Sequence, residues 1–258
     1  MGMTVIGRPS GLAYVLAALA MLVPLAARAD FHIRSPDEID QAEWEFETNG
    51  AASFDHNPSR SGATSYTAEI GGGLTSWWRP ELEFNFARDA GLGQRTKAQG
   101  ATWENTFELT EPGENWLDLG FYWEYSLSTQ RQKAHDTLFG PLLQKDVGRT
   151  THTLNLFFAK EIGPNQNVHG YDFSYAWQSR WNIYRYASPA IEFYGDAGQI
   201  DRVAKFQDQQ LIVGPVLVGS VPVGTSGKLK YEAGYLFGAT NASPNGTIRW
   251  KLEWETHF

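Results

Sequence analysis

The last eleven residues of the chain alternate between two faces of opposite chemistry. One set of alternate positions is mostly apolar or aromatic: Ile248, Trp250, Leu252, Trp254, Thr256 and Phe258. The other set is charged or titratable: Arg249, Lys251, Glu253, Glu255 and His257. Successive side chains of a β-strand point to opposite faces. A soluble sheet does not easily accommodate that contrast, whereas a barrel strand between lipid and water does. The pattern therefore predicts a transmembrane β-strand.

The same contrast recurs along most of the chain. Two less regular stretches, 139–143 and 213–217, share an x-Gly-Pro-x-Leu repeat, which favours a strand for both. Their prolines are unusual inside a strand, because proline cannot donate to the ladder and commonly marks a bulge or a strand end. The predicted strands lie near 41–49, 64–74, 81–88, 101–110, 116–127, 137–145, 152–160, 170–183, 189–195, 209–218, 228–238 and 247–258.

This even number of strands places both termini on the periplasmic side of a bacterial barrel. The segment 50–63 is then a long outer loop, and 75–80 is a short periplasmic turn. The sequence predicts an all-β fold, a closed antiparallel transmembrane β-barrel of about twelve strands.

Residues 1–29 have the features of a cleavable signal peptide. Arg8 precedes an almost wholly apolar run from Leu12 to Ala27, and the small residues Ala27 and Ala29 fit the signal-peptidase rule. The run is short for a transmembrane helix, and no second one follows. We therefore predict a signal peptide at 1–29 and a barrel domain at 30–258, located in the bacterial outer membrane.

Composition narrows the function classes. The absence of cysteine excludes disulfide scaffolds and cysteine-ligated metals. Aromatic residues make up 14% of the chain, and a barrel can place them in its lipid-facing band while polar residues fill the lumen. Acidic residues outnumber basic ones, 29 to 21. This balance argues against a nucleic-acid partner and is compatible with cations or with an acidic, water-filled interior.

Motifs near the C-terminus resemble the ending of a group of largely uncharacterised proteobacterial outer-membrane proteins. They are Tyr235-Leu236-Phe237-Gly238, Ala242-Ser243-Pro244-Asn245-Gly246-Thr247 and Trp250, with similar features at Tyr175-Ala176-Trp177-Gln178 and in the paired Gly-Pro segments. The terminal aromatic also resembles the signal by which outer-membrane barrels are recognised for assembly. The resemblance implies fold, location and a barrel-assembly partner, but no substrate. The assembly signal would comprise Trp250, Leu252, Trp254 and Phe258.

One stretch suggests a catalytic pair. Outer-membrane phospholipases place a His and a Ser two residues apart on one strand face. Here His56 and Ser59 are three apart, with Pro58 between them, and on a strand that spacing puts the side chains on opposite faces. The six histidines show no metal-ligand spacing. We therefore predict no enzymatic activity, no catalytic residue, no cofactor and no metal.

The predicted lumen face carries acids on the early strands and most of its bases on the later ones. Its residues are Glu43, Glu45, Glu47, Glu69, Glu81, Glu83, Glu104, Glu108, Asp118, Glu124, Arg180, Lys230, Glu232, Arg249, Lys251 and Glu253. In one alternative, acids and bases pair across a narrow lumen and plug it. In the other, the charges line an aqueous path with a transverse field.

The functional prediction is a porin-like channel or transporter for small solutes, with cations as one candidate class. An outer-membrane lipid hydrolase and a structural barrel without transport are the alternatives. The expected partners are outer-membrane lipids, the barrel-assembly machinery through the C-terminal strand, and small solutes.

Overall fold

A computed structural model describes residues 31–37 and 39–257; the predicted signal peptide and Phe258 lie outside the described residues. The strands are β1 (Glu43–Phe54), β2 (Thr64–Gly72), β3 (Trp78–Arg88), β4 (Lys97–Glu108), β5 (Asp118–Ser128), β6 (His135–Val147), β7 (Thr150–Ile162), β8 (Asp172–Trp181), β9 (Ser188–Gln199), β10 (Gln210–Val223), β11 (Gly227–Gly238) and β12 (Gly246–His257). Each strand pairs antiparallel with its sequence neighbours, and β1 pairs with β12 to close the barrel. The predicted twelve-strand barrel is confirmed.

The barrel has two distinct ends. β1 begins and β12 ends at the same end, where the connections are mostly the shorter ones, such as the two-residue turn between β6 and β7. Short turns face the periplasm in outer-membrane barrels, so we call this end the periplasmic rim. Two 3-10 turns, Ile200–Arg202 and Phe206–Asp208, lie in the loop between β9 and β10 at the other end. Within the described residues, no helix is long and apolar enough to span a membrane.

The alternation of β12 separates lipid from lumen. Leu252 is 45% exposed on the outer face, whereas Arg249 is 1% and Glu253 1% exposed on the inner face. Outward rings also contact each other between strands: Phe46 lies opposite Trp254, and the two rings stack with centroids 5.5 Å apart. Such cross-strand aromatic pairs stabilise a sheet. The outer surface is therefore apolar and aromatic, as a membrane requires.

The two Gly-Pro segments interrupt the ladder without shifting it. Pairing of β6 with β7 skips Gly140 and Pro141, and pairing of β10 with β11 skips Gly214 and Pro215, with the same register on both sides. A Cβ at Gly140 would lie 1.7 Å from the Leu156 carbonyl oxygen, so only glycine permits this approach. Gly140 and Pro141 still pair with β5, and Gly214 and Pro215 still pair with β9, so only one side of each ladder is interrupted. Both segments are therefore strands, as predicted.

Two predicted boundaries are also wrong. β1 continues to Phe54, because residues from Gly50 to Phe54 pair with β12, so the following loop spans 55–63 and not 50–63. Pro80 lies within β3 rather than in a turn. It is paired with Asn105 on β4, whereas pairing with β2 ends at Gly71 and Glu81, where a missing donor costs little.

Candidate functional site

Residues 31–37, which we call the N-terminal segment, lie inside the barrel before β1 begins. His32, Ile33, Arg34 and Ser35 are each 9% exposed or less. Their hydrogen-bond and ion-pair partners are inward-facing side chains of β1, β4, β6, β7 and β12. The segment therefore occupies the lumen.

Arg34 anchors the centre of the segment. Its guanidinium group lies 3.0 Å from the Glu104 carboxylate and 4.2 Å from the centroid of the Tyr122 ring. The fully buried Asn155 amide accepts from the Arg34 backbone N–H at 2.8 Å and donates to the Arg34 carbonyl at 2.7 Å. Asn155 thus satisfies both backbone groups of one residue, as a neighbouring strand would.

Ser35 and Pro36 fit the wall formed by β5 and β6. The Ser35 hydroxyl donates to the Gln144 side-chain oxygen at 2.7 Å, and Gln144 in turn donates to Asp37. A Cβ at Gly120 would lie 2.8 Å from the Pro36 side chain, so glycine leaves the space that the segment fills. Both contacts fix the path of the segment towards the periplasmic rim.

His32 and Ile33 contact the opposite wall. The Lys251 ammonium group donates to His32 Nε2 at 2.8 Å, and His32 Nδ1 lies 3.6 Å from the Glu47 carboxylate. Burial, reinforced by the nearby positive charge of Lys251, lowers the pKa of the His32 imidazole well below its usual range. Ile33 packs into an apolar cluster with Ala176, Ala190, Tyr194, Ile212, Val216 and Leu236.

The strand register places several carboxylates directly opposite one another. Glu47 faces both Glu69 on β2 and Glu253 on β12, and Glu81 faces Glu104. Like charges in such pairs are destabilising, and buried charges require partners. The barrel meets this requirement with basic side chains placed between the acids.

Three strands supply those basic side chains. Lys251 contacts Glu47 at 2.9 Å and Glu253 at 2.8 Å. Arg79, from β3, contacts Glu45 at 3.1 Å and Glu81 at 3.2 Å. The remaining pairs are Lys230 with Glu253 and Glu255, and Arg249 with Glu192 and Glu232. Most of the lumen charge is therefore locally compensated.

The structure places the predicted lumen residues as follows. Buried residues are Glu45, Glu47, Glu81, Glu83, Glu104, Asp118, Arg249, Lys251 and Glu253. Half-buried residues are Glu43, Glu69, Glu108, Glu124, Arg180, Lys230 and Glu232. The seam between β1 and β12 brings Glu47 and Lys251 together, whereas Asp118 accepts from the Gly113 backbone N–H in the turn between β4 and β5.

Two clusters, each of three carboxylates, have the spacing to hold a cation. Oxygens of Glu69, Glu83 and Glu104 lie within 4.8 Å of one another, and the same holds for Glu43, Glu45 and Glu255. In both groups a basic side chain already contacts one member, Arg34 for Glu104 and Arg79 for Glu45. In both clusters the structure therefore shows ion pairing between acidic and basic side chains.

Sequence reasoning missed the N-terminal segment and several inward polar residues, among them Arg79, Gln144, Asn155 and Glu192. Residues 31–37 have no periodicity, so alternation could not assign them. A usable signal was present at Glu192, a charged residue between the apolar Ile191 and Phe193 in a short predicted strand.

A cavity of about 420 Å³ opens beside the segment at the periplasmic rim. We call it the vestibule. Ile33 forms part of its wall, together with Arg180, Arg185, Lys228 and Lys230. The vestibule thus adjoins the occupied lumen and has a basic lining.

The His56–Ser59 stretch lies in the loop between β1 and β2. The His56 backbone N–H donates to the Asn245 side chain at 2.7 Å, and the Ser59 hydroxyl donates to the Asn57 side chain at 2.8 Å. Arg60 donates to backbone carbonyls of the loop between β11 and β12. These contacts tie two outer loops together.

Solved structures of outer-membrane barrels are similar to this chain. An outer-membrane channel from Pseudomonas putida F1 is 13% identical, with a TM-score of 0.58, covering 86% of this chain and 97% of that one. The NanC porin is 11% identical, with a TM-score of 0.53, covering 83% and 100%. No protein-family model matches the sequence, and neither does any curated protein. At these identities the likeness shows the fold, which is that of a bacterial outer-membrane β-barrel.

Proposed function

We propose that this outer-membrane barrel is a channel for small solutes and that its own N-terminal segment closes it. The observation that carries the proposal is the position of residues 31–37 in the lumen, where Arg34 contacts Glu104 and Asn155. The segment precedes β1 and takes part in no strand pairing, so it can leave without breaking any strand pairing of the barrel. A closed state and an open state are therefore both compatible with one intact barrel.

The chemistry of the contacts supports reversible closure. Arg34, Ser35 and His32 are held by hydrogen bonds and ion pairs, which water can replace when the segment leaves. The wall that departure uncovers carries Glu47, Glu104 and Lys251, which tolerate water, beside the apolar cluster that Ile33 leaves. A barrel with these inward residues becomes an aqueous path once the segment is gone.

We assign no enzymatic reaction to the barrel, and we place the protein with the proteobacterial outer-membrane group that its C-terminal motifs resemble. The outward row of β12, with Trp250, Leu252 and Trp254 exposed, offers the barrel-assembly machinery an apolar strand surface. This row supports the proposed assembly role of the C-terminal strand.

Deletion of residues 31–37 tests the channel proposal. In planar bilayers we expect the full-length protein to be mostly closed and the deletion variant to show stable single-channel conductance. The matched control removes residues 201–207, seven exposed residues of the outer loop between β9 and β10, and should behave as the full-length protein does. Absence of conductance in the deletion variant, once its closed barrel is verified by heat-modifiable migration in gels, would contradict the proposal.

A further inference from the structure

We propose that the vestibule binds a small organic anion, a solute with a carboxylate group. The site adjoins the lumen of the proposed channel, but anion binding at the rim does not depend on conduction through the lumen. Five basic and two acidic side chains line the cavity. The two acids are Glu232 and Glu253. The bases are Arg180, Arg185, Lys228, Lys230 and Lys251.

Both acids of the lining are already paired, one with a base outside the lining and one with two of its lysines. Glu232 pairs with Arg249, and Glu253 contacts both Lys230 and Lys251. Lys228 and Lys230 also share Glu255, which lies opposite Lys228 in the ladder. These pairs neutralise the charges of the lysines. The positive charge that remains for a ligand in the cavity comes from the two arginines.

Arg180 and Arg185 have different partners from the lysines. Arg180 donates from Nε to the Asn182 side chain at 3.0 Å, and Arg185 lies 5.2 Å from the centroid of the Tyr186 ring. Within residues 31–37 and 39–257, neither arginine forms an ion pair with a carboxylate. A guanidinium group offers two parallel N–H donors, which match a carboxylate. The arginines therefore supply the recognition that an anion requires.

The rest of the lining suits a polar organic molecule. Tyr184, Tyr231, Ser188 and Ser220 line the cavity with polar residues, and Ile33 adds an apolar one. The Ser188 and Tyr231 hydroxyls already donate to backbone carbonyls, those of Tyr184 and Tyr186. A volume of about 420 Å³ is within the usual range for small-molecule sites. A hydroxylated carboxylate such as gluconate matches this combination, and inorganic phosphate matches only the charge.

Binding can be measured without conduction. Equilibrium dialysis of the purified, detergent-solubilised full-length protein should show saturable binding of radiolabelled gluconate, weaker binding of inorganic phosphate and none of glucose. Binding should weaken as salt is added, because screening reduces the attraction at a partly exposed site. Equal binding of gluconate and glucose, or no saturable binding of gluconate, would overturn the proposal.

Variants at the two arginines sharpen the test. The R180Q/R185Q double variant should bind gluconate about tenfold or more weakly, since charge-assisted hydrogen bonds are lost. R149Q removes a charge from the neighbouring turn, outside the lining, and should bind as wild type does. R180K/R185K keeps the charge but loses the planar guanidinium groups. Its affinity for gluconate should therefore lie between those of wild type and R180Q/R185Q. If R180Q/R185Q, verified as a closed barrel, binds gluconate like wild type, the vestibule is not the site.

The outcomes separate this proposal from the channel. Gluconate binding that depends on the arginines, with no conductance after deletion of 31–37, would retain the site and reject the channel. Conductance without gluconate binding would retain the channel and reject the anion site.

Discussion

At the scale of single residues, Arg34 does the most to hold the N-terminal segment in place. Its guanidinium group contacts Glu104 and the Tyr122 ring while its backbone is clamped by Asn155. Loss of one member of a buried ion pair typically costs about 3–5 kcal/mol. Part of that cost is avoided if the segment leaves the lumen, where water can then reach Glu104. Loss of Arg34 should therefore destabilise the closed state more than it destabilises the folded barrel.

We therefore expect Arg34→Ala to raise the open fraction of the channel in planar bilayers, with a small change in the unfolding temperature of the barrel. Arg60→Ala, which removes an arginine that ties outer loops together, is the control and should leave the open fraction unchanged. If Arg34→Ala conducts no more than Arg60→Ala, Arg34 does not hold the closed state.

Single residues also show which contacts could not be predicted from the sequence. The pairing of Arg34 with Glu104 joins residues 70 positions apart across the lumen, and Arg249 reaches Glu192 at a separation of 57. Alternation reports which face a side chain occupies, but not which partner closure brings opposite it. The inward orientation of Glu47 could thus be predicted, whereas its contact with Lys251 across the seam could not.

At the scale of elements, β12 shows why the strands were predictable. Its lipid and lumen faces differ at every position from Ile248 to Glu253, so a period of two is visible without tertiary information. The end of β1 was missed because Gly50, Ala51 and Ala52 offer no such contrast. The segment 31–37 was missed because it belongs to no strand or helix.

The outward row of β12 makes a depth-dependent prediction. Leu252, near the middle of the strand and 45% exposed, should face the hydrocarbon core. Leu252→Arg should lower the free energy of unfolding by about 2–4 kcal/mol, the usual cost of an arginine at the bilayer midplane. Val147→Arg, at the rim end of β6, should cost only about 0–1 kcal/mol. Equilibrium unfolding in lipid vesicles measures both, and equal costs would contradict the assigned membrane position.

At the scale of the whole molecule, charge is divided across the barrel. Acids dominate β1 to β5, and Lys251 of β12 reaches back to Glu47 on β1. Lys230 of β11 instead pairs with Glu253 and Glu255 on β12. The vestibule, on the later strands, is basic. A solute leaving the vestibule would therefore meet paired charges in the closed protein and a more acidic wall once Arg34 and the segment have withdrawn.

Neutralising the acidic wall should act differently on the closed and open forms. In the full-length protein, the E45Q/E47Q/E81Q variant should unfold at lower temperature, because Arg79 and Lys251 lose buried partners. In the protein lacking 31–37, the same substitutions should shift ion selectivity towards anions, most strongly at low ionic strength, where screening is weakest. Reversal potentials in salt gradients measure the shift, and E111Q/E114Q, in an exposed turn, is the control. Unchanged stability together with unchanged selectivity would mean that these carboxylates do not shape the lumen, because any inward carboxylate must affect either the packing of the closed barrel or the field of the open one.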